Sequence, residues 1–135
     1  KPDLVVDVAT LTGACIVALG LRTAGLMASD DATADLVLDA AEAAGEDFWQ
    51  LPIPQHIRDS LDSKVADLRS SGARHGGASM AAAFLQRFVG EGTAWAHLDI
   101  AGPAWNDEAP YDYVPTGGTG SAVRTIIELA RALQH

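Results

Sequence analysis

The segment DVATLTGACIVALG, residues 7 to 20, places the tightest constraint on how this chain can fold. It continues an almost unbroken apolar run, Leu4 to Ala9, whose β-branched residues are typical of a strand covered on both faces. Thr12 is suited to cap a helix from Gly13 to Leu19, and Gly20 is suited to end that helix. A strand, a tight Thr-Leu-Thr-Gly corner and a short helix of small residues therefore open an α/β domain.

The alternation of strands and helices continues to the end of the chain. After the first helix, the pattern predicts a strand at 24–28, a helix at 32–44, a short helix at 56–61, an edge strand at 64–68, a helix at 78–89, a strand at 95–101 and a helix at 121–133. Residues 48–51 lead into the segment 52–54, which cannot lie in the centre of a sheet because Pro52 and Pro54 lack an amide hydrogen. We predict an α/β fold with a mixed, largely parallel sheet and helices on both faces.

Length and charge exclude several classes of function. The 135 residues suit one domain, and 9 Lys and Arg against 18 Asp and Glu give a net charge of −9. This acidic balance disfavours nucleic acid and anionic membrane as partners, and no apolar run is long enough to span a bilayer. The chain has a single cysteine, Cys15, so it cannot form an intrachain disulfide, which fits a cytoplasmic location. The apolar neighbours of Cys15 predict a buried and inert thiol.

Two segments follow strands at the positions where open α/β sheets bind ligands. They are Thr10–Gly13 after the first strand and Ala101–Ala104 after the last. Both consist mainly of small residues with accessible backbone, so they can form walls and hydrogen-bonding rails for a ligand but supply no nucleophile or base. Tight packing at a strand–helix corner is the alternative interpretation of both segments, and the residues alone leave it open.

Two other patterns admit a chemical and a structural interpretation. His97 and Asp99 point to the same face of a strand, as a metal or acid/base pair would, but a buried pair satisfied by backbone groups is the favoured interpretation. The loop 116–120 is rich in glycine and opens a helix, as phosphate-binding loops do, yet it lacks the known nucleotide-binding patterns. We therefore predict that Thr119 or Ser121 simply caps the last helix.

Four segments together carry a resemblance to a known family. DVATLTGACIVALG, SSGARHGGASMAAAFLQRF, WAHLDIAGPAW and PTGGTGSAVRT, in this order and at these intervals, resemble the C-terminal half of the catalytic domain of the leucyl aminopeptidases, the cytosol aminopeptidase family. The resemblance covers essentially the whole chain. It implies that residues 1–135 are the C-terminal portion of such a catalytic domain, and the abrupt start at a strand without an initiator Met is expected of part of a longer chain.

The family removes N-terminal residues from peptides with two divalent metal ions, manganese, zinc or magnesium, and assembles as hexamers. Its metal ligands, its catalytic lysine and its catalytic arginine belong to an upstream part of the domain that includes an Asn-Thr-Asp-Ala-Glu-Gly-Arg motif, which this sequence lacks. The resemblance therefore implies no catalytic residue, metal ligand or bound cofactor in this chain, which would be inactive alone. A non-catalytic binding or structural module is the alternative function.

Five residues of the family's substrate cleft carry over onto this sequence by resemblance. Thr10 would border the pocket for the N-terminal side chain of a peptide. Leu11 would offer its carbonyl, and Gly13 its amide, to the peptide backbone, so Gly13 would be small because a peptide passes close by. Ala101 and Ala104 would form another wall of the pocket.

At two positions the sequence departs from the family's pattern. The family often has a bulkier residue where Ala104 stands, which implies a wider pocket here. Ser71 stands where an isoleucine commonly lines the next subsite, so the resemblance does not establish that contact.

Overall fold

The apolar run at the start of the chain forms strand β1 (Leu4–Ala9), as predicted. This strand pairs in parallel with β4 (Ala94–Asp99) along its whole length. The last residues of the two strands, Ala9 and Asp99, lie opposite each other. The carboxyl ends of both strands therefore lie next to each other, and the segments that follow them emerge side by side.

Two further strands complete the main sheet. Strand β2 (Ala24–Ala28) runs antiparallel to β4, and β3 (Phe48–Gln50) runs parallel to β2, so that the order is β1-β4-β2-β3. Strand β3 lies at the edge and ends before Pro52, as expected for a segment whose prolines cannot donate to a ladder. Two of the three pairings are parallel, which confirms the mixed, largely parallel sheet.

Helices and a small second sheet surround these strands in the computed structural model, which describes residues 2–134. The helices are α1 (Gly13–Leu19), α2 (Asp31–Ala44), α3 (Gln55–Asp59), α4 (Gly77–Gln86) and α5 (Val123–Ala132). Strands β5 (Trp105–Asn106) and β6 (Gly117–Gly118) pair antiparallel. Within the described residues, no helix is both long and apolar enough to cross a membrane.

Side chains alternate across the central strands and bury apolar surface on both faces. Leu26 and Leu98 are completely buried on the face covered by α2 and α5. Met27 and Trp95 are buried on the opposite face, against Ala82 of α4. Helices therefore cover both faces, as predicted from the strand pattern.

Thr12 caps the first helix as predicted, and local residues also begin and end the second. The Thr12 hydroxyl accepts a hydrogen bond from the Cys15 amide at 3.0 Å and caps α1. Helix α2 is capped by Asp30, which accepts from the Thr33 amide at 2.8 Å. It ends at Gly45, whose φ of 66° lies in the left-handed region that glycine adopts without strain.

The start of α5 differs from the prediction that Thr119 or Ser121 caps it. The Glu46 carboxylate instead accepts hydrogen bonds from the amides of Ala122 and Thr125, at 2.9 and 2.8 Å. A carboxylate at a helix N-terminus satisfies amides that lack partners within the helix and interacts favourably with the helix dipole. This cap joins residues far apart in the chain, which explains why local sequence did not reveal it.

The edge strand predicted over residues 64–68 is wrong, because the chain bends repeatedly there. The Ser63 hydroxyl accepts hydrogen bonds from the amides of Val65 and Ala66, at 3.2 and 3.1 Å, which favours a turn over an extended ladder. The Val65 side chain is 96% exposed, whereas Leu68 packs on the cluster around Leu61, so the segment reaches the core without joining a sheet.

Candidate functional site

The two candidate ligand segments lie at the same end of the sheet. Thr10–Gly13 follows β1 and the segment 101–104 follows β4, its parallel neighbour. Thr10 and Gly13 are exposed. Leu11, Ala101 and Ala104 are partly buried. Crevices at the carboxyl ends of strands are where open α/β sheets bind ligands. The structure therefore brings the predicted site residues together, and their contact with substrate remains a prediction.

A single carboxylate joins the two segments. Asp99, the last residue of β4, is completely buried. Its Oδ1 accepts hydrogen bonds from the amides of Leu11 at 3.1 Å and Ala101 at 3.2 Å. The Thr12 amide approaches the same oxygen at 3.4 Å, and the Thr12 hydroxyl donates to Oδ2 at 2.7 Å. Buried carboxylates are costly unless such donors surround them, so these contacts fix both segments to β4.

His97 and Asp99 share a face of β4, as predicted, but they bind different partners. Backbone amides supply most of the hydrogen bonds to Asp99, in agreement with the structural interpretation. The His97 imidazole instead pairs through Nδ1 with the Asp7 carboxylate, whose other oxygen accepts from the Trp95 indole at 2.7 Å. Satisfaction of His97 by the backbone was therefore the wrong expectation. Among residues 2–134, its Nε2 has no hydrogen-bond partner.

An apolar groove borders the corner on the side of α4. It is an open space of about 380 Å³ lined by Leu11, the loop 70–73, and Met80, Phe84 and Leu85 of α4. Ser71 belongs to that loop, so the residue that departs from the family pattern does line a space next to the corner. Leu11 contributes both to the corner and to this apolar groove.

Gly13 and Gly102 differ in why each is small. A Cβ added at Gly13 would meet no atom within 4 Å, and its backbone is outside the left-handed region. The fold itself therefore does not require glycine at position 13. At Gly102 a Cβ would lie 2.4 Å from the Gly20 carbonyl oxygen, because the loop after β4 packs directly on the turn after α1.

The donor set of the described residues does not fit a two-metal centre. Within the described range 2–134, no three His, Cys, Asp or Glu side chains are grouped so as to hold a metal ion. The carboxylate nearest to the corner, Asp99, already accepts hydrogen bonds on both oxygens. No step of hydrolysis can be assigned to a metal held by these residues.

Cys15 lies directly beneath the corner and is expected to be unreactive. Its side chain is 1% exposed, and its Sγ lies 3.7 Å from the Asp99 carbonyl oxygen. Burial, and then the charge of Asp99, raise the pKa of the thiol, so little reactive thiolate is present near neutral pH. We expect the folded chain to react with a disulfide reagent more than about tenfold more slowly than the chain in urea. Equal rates would contradict the buried placement.

The residues that organise the site were not all found from sequence. The sequence suggests Asp99 as part of a pair with His97, and Thr12 as a helix cap, but it does not predict the hydrogen bond between Asp99 and Thr12. Its sequence signal is weak: an acidic residue at the end of a buried strand, with a segment of small residues after it. The pairing of β1 with β4, across about ninety positions, is what makes the contact possible.

Comparison with known proteins identifies related chains. Residues 1–127 match the family model described as "Cytosol aminopeptidase family, catalytic domain". A probable cytosol aminopeptidase of Cutibacterium acnes is 62% identical over 130 residues, which are 96% of this chain and 26% of that protein. The corresponding protein of Streptomyces avermitilis is 58% identical over 96% of this chain and 25% of its own length. The chain thus spans about a quarter of these relatives.

Solved structures show the same fold. The bottromycin maturation enzyme BotP aligns with a TM-score of 0.93 at 58% identity, covering 98% of this chain and 30% of that one. A second BotP structure is described as a complex with Mn. A mutant of tomato leucine aminopeptidase aligns with a TM-score of 0.86 at 42% identity, covering 94% of this chain and 24% of that one. The α/β sheet described above is therefore the fold of part of these enzymes.

Proposed function

Because this chain belongs to the cytosol aminopeptidase family, through that family's catalytic domain, we propose that it is the C-terminal portion of a metal-dependent aminopeptidase. In this role it forms part of the cleft that binds a peptide by its N-terminal end. The observation that carries the proposal is the exposed Thr10–Gly13 corner at the end of β1, held beside the segment after β4 and bordered by the apolar groove.

The corner is suited to bind the backbone of a peptide. Gly13 is the first residue of α1, and the amides of a helix's first turn lack partners within the helix, so its N–H is available to a substrate carbonyl. Leu11 would accept a hydrogen bond from the peptide through its own carbonyl. Thr10, which is exposed beside them, would border the pocket for the N-terminal side chain. Main-chain hydrogen bonds of this kind bind peptides without depending on their sequence.

The surfaces on the two sides of the Thr10–Gly13 corner would select the side chains of the peptide. Ala101 and Ala104 form a partly buried wall after β4, and their small size would leave room for a large N-terminal side chain. On the other side, the apolar groove would hold the residue after the cleaved bond, with Ser71 on its loop wall. The groove's Met80 and Phe84 favour an apolar residue at that position.

The metal ions, assembly and location are further parts of the proposal. Two divalent ions, manganese, zinc or magnesium, would be held by residues outside this chain and would polarise the attacking water and the scissile carbonyl. The structure of BotP in complex with Mn supports a metal requirement. We propose a cytoplasmic homo-oligomer, a hexamer as in the family, that acts on peptides rather than on nucleic acids or membranes; the acidic net charge of −9 supports the last point.

The proposal is tested by peptide hydrolysis in a chimera. In the chimera, this chain replaces the matching 130 residues of the Cutibacterium acnes relative. We expect the chimera to release N-terminal residues from short peptides in the presence of manganese, at a rate within about tenfold of the relative's own. The 135-residue chain alone, tested in parallel, is expected to release none.

Two outcomes would contradict the proposal. A chimera that folds and binds manganese but hydrolyses no peptide would show that this chain does not complete the cleft. Hydrolysis by the chain alone would show that a catalytic centre lies within these residues. If the chimera were inactive and the chain bound peptides tightly without metal, the non-catalytic binding module would be the better interpretation.

A further inference from the structure

Asp99 lies where it can orient the backbone of the Thr10–Gly13 corner without touching the substrate. It is completely buried, and hydrogen bonds tie it to Leu11, Thr12 and Ala101, on both segments of the candidate cleft. We propose that Asp99, acting through Thr12, is a positioning residue that aims the Leu11 carbonyl and the Gly13 amide at the peptide backbone. This inference rests on the proposed function.

The planarity of the peptide bond explains how a buried carboxylate aims an exposed carbonyl. The Leu11 carbonyl and the Thr12 amide belong to one trans peptide unit, in which C=O and N–H point in opposite directions. The Thr12 amide points toward the Asp99 carboxylate. The Leu11 carbonyl must therefore point away from Asp99 and out of the core, toward the side from which a peptide would approach.

The Thr12 hydroxyl links the same carboxylate to the start of α1. It donates to Asp99 Oδ2 at 2.7 Å and accepts from the Cys15 amide at 3.0 Å. A hydroxyl can do both at once, since it has one hydrogen and two lone pairs. The Gly13 amide lies between these two anchored points, so its direction is also set by Asp99.

A carboxylate at position 99 holds the corner more strongly than an amide would. Asp99 Oδ2 accepts from a hydroxyl, and Oδ1 receives backbone amides alone. In Asp99→Asn, an NH₂ group would replace one acceptor and would face either the Thr12 hydroxyl or those amides. Where the NH₂ faces Thr12, that hydroxyl accepts from it and from the Cys15 amide, and its own hydrogen loses its acceptor; where the NH₂ faces the amides, they lose theirs. In both orientations the charge-assisted hydrogen bonds of the carboxylate are lost as well, so both segments are held more weakly.

The test uses the chimera described above, with the KM and kcat for a dipeptide measured separately. Since the aimed groups bind the substrate backbone before and during reaction, Asp99→Asn is expected to raise KM by about tenfold and to change kcat by less than about threefold. Thr12→Val, which keeps the shape but removes the hydroxyl, is expected to act in the same direction. Thr12→Ser restores the hydroxyl and is expected to keep KM within about twofold of the unsubstituted value.

A matched control separates positioning from simple loss of a helix cap. Asp30 caps α2 as Thr12 caps α1, and it lies outside the candidate cleft. Asp30→Ala is therefore expected to lower thermal stability, as Thr12→Val does, but to leave KM and kcat unchanged. Thr12→Val remains informative if Asp99→Asn fails to fold, because Thr12→Ser gives its rescue.

The results distinguish this inference from the proposed function. If the unsubstituted chimera is active but Thr12→Val and Asp99→Asn have a normal KM, Asp99 is only a structural residue and the inference is wrong. If Asp99→Asn does not fold, a normal KM in Thr12→Val alone overturns it. An inactive unsubstituted chimera would overturn the proposed function itself, and the role of Asp99 with it.

Discussion

Gly13→Val is expected to lower kcat/KM of the chimera by about a hundredfold while leaving it folded. Beyond the neighbouring residues and the backbone of its own helix, a Cβ at this position meets no atom within 4 Å, so there is space around the start of the new side chain. That space is where the peptide backbone would lie if the Gly13 amide binds it. Two γ-methyl groups there would hold the substrate away from the rail. Steady-state kinetics with short peptides, together with a thermal melt, measure both parts of the prediction.

Ala18→Val is the matched control for this substitution. Ala18 is exposed on α1 but lies away from the corner, so the same type of side chain is added to the same helix. We expect its kcat/KM to stay within about twofold of the unsubstituted chimera. If the kcat/KM of Gly13→Val also stayed within about twofold, the Thr10–Gly13 corner would not bind the peptide backbone.

Gly102→Ala is expected to destabilise the chain by about 2 kcal/mol. Its new Cβ would lie 2.4 Å from the Gly20 carbonyl oxygen and 3.3 Å from the Leu21 Cα. Both are backbone atoms, so no change of rotamer can relieve the overlap. The loop after β4 would have to move away from the turn after α1. Urea unfolding of the chain, with and without the substitution, measures the loss.

Gly13→Ala is the matched control for Gly102→Ala. It adds the same methyl group where no atom lies within 4 Å and where the backbone suits any residue. We expect unchanged or slightly increased stability, by less than about 0.5 kcal/mol, because alanine reduces the freedom of the unfolded chain. Equal stability of the two variants would show that the packing of Gly102 on Gly20 is not as close as described.

Elements with strong local signals were predicted well from the sequence. The β-branched run predicted β1, and Thr12 predicted the start of α1, because each residue type favours the conformation found there. The rule that ligands gather at the carboxyl ends of strands selected the segments 10–13 and 101–104. The structure places both segments at one edge, because β1 and β4 are parallel neighbours.

Features that depend on distant partners could not be predicted in the same way. The carboxylate of Glu46 caps α5, and that of Asp7 pairs with His97, in each case across more than seventy residues. A local pattern does not show which carboxylate will reach a given amide or imidazole. The strand predicted over residues 64–68 does not form, because Ser63 stabilises a turn there.

The assignment of function rests on different evidence from the assignment of fold. Composition and spacing suggested a cleft built from backbone and small residues, but they did not suggest peptide hydrolysis. The order and spacing of four segments pointed to the aminopeptidase family, and the family match over residues 1–127 confirmed it. The described part of the chain, residues 2–134, offers no cluster for a metal ion.

The most direct measurement is a crystal structure of the chimera with a non-hydrolysable dipeptide analogue. The central claim is that the corner after β1 binds the peptide backbone. It predicts that the Leu11 carbonyl and the Gly13 amide each lie within about 3.2 Å of a backbone polar atom of the analogue. An analogue bound in the active site with neither group in contact would contradict the claim, whatever the activity of the chimera.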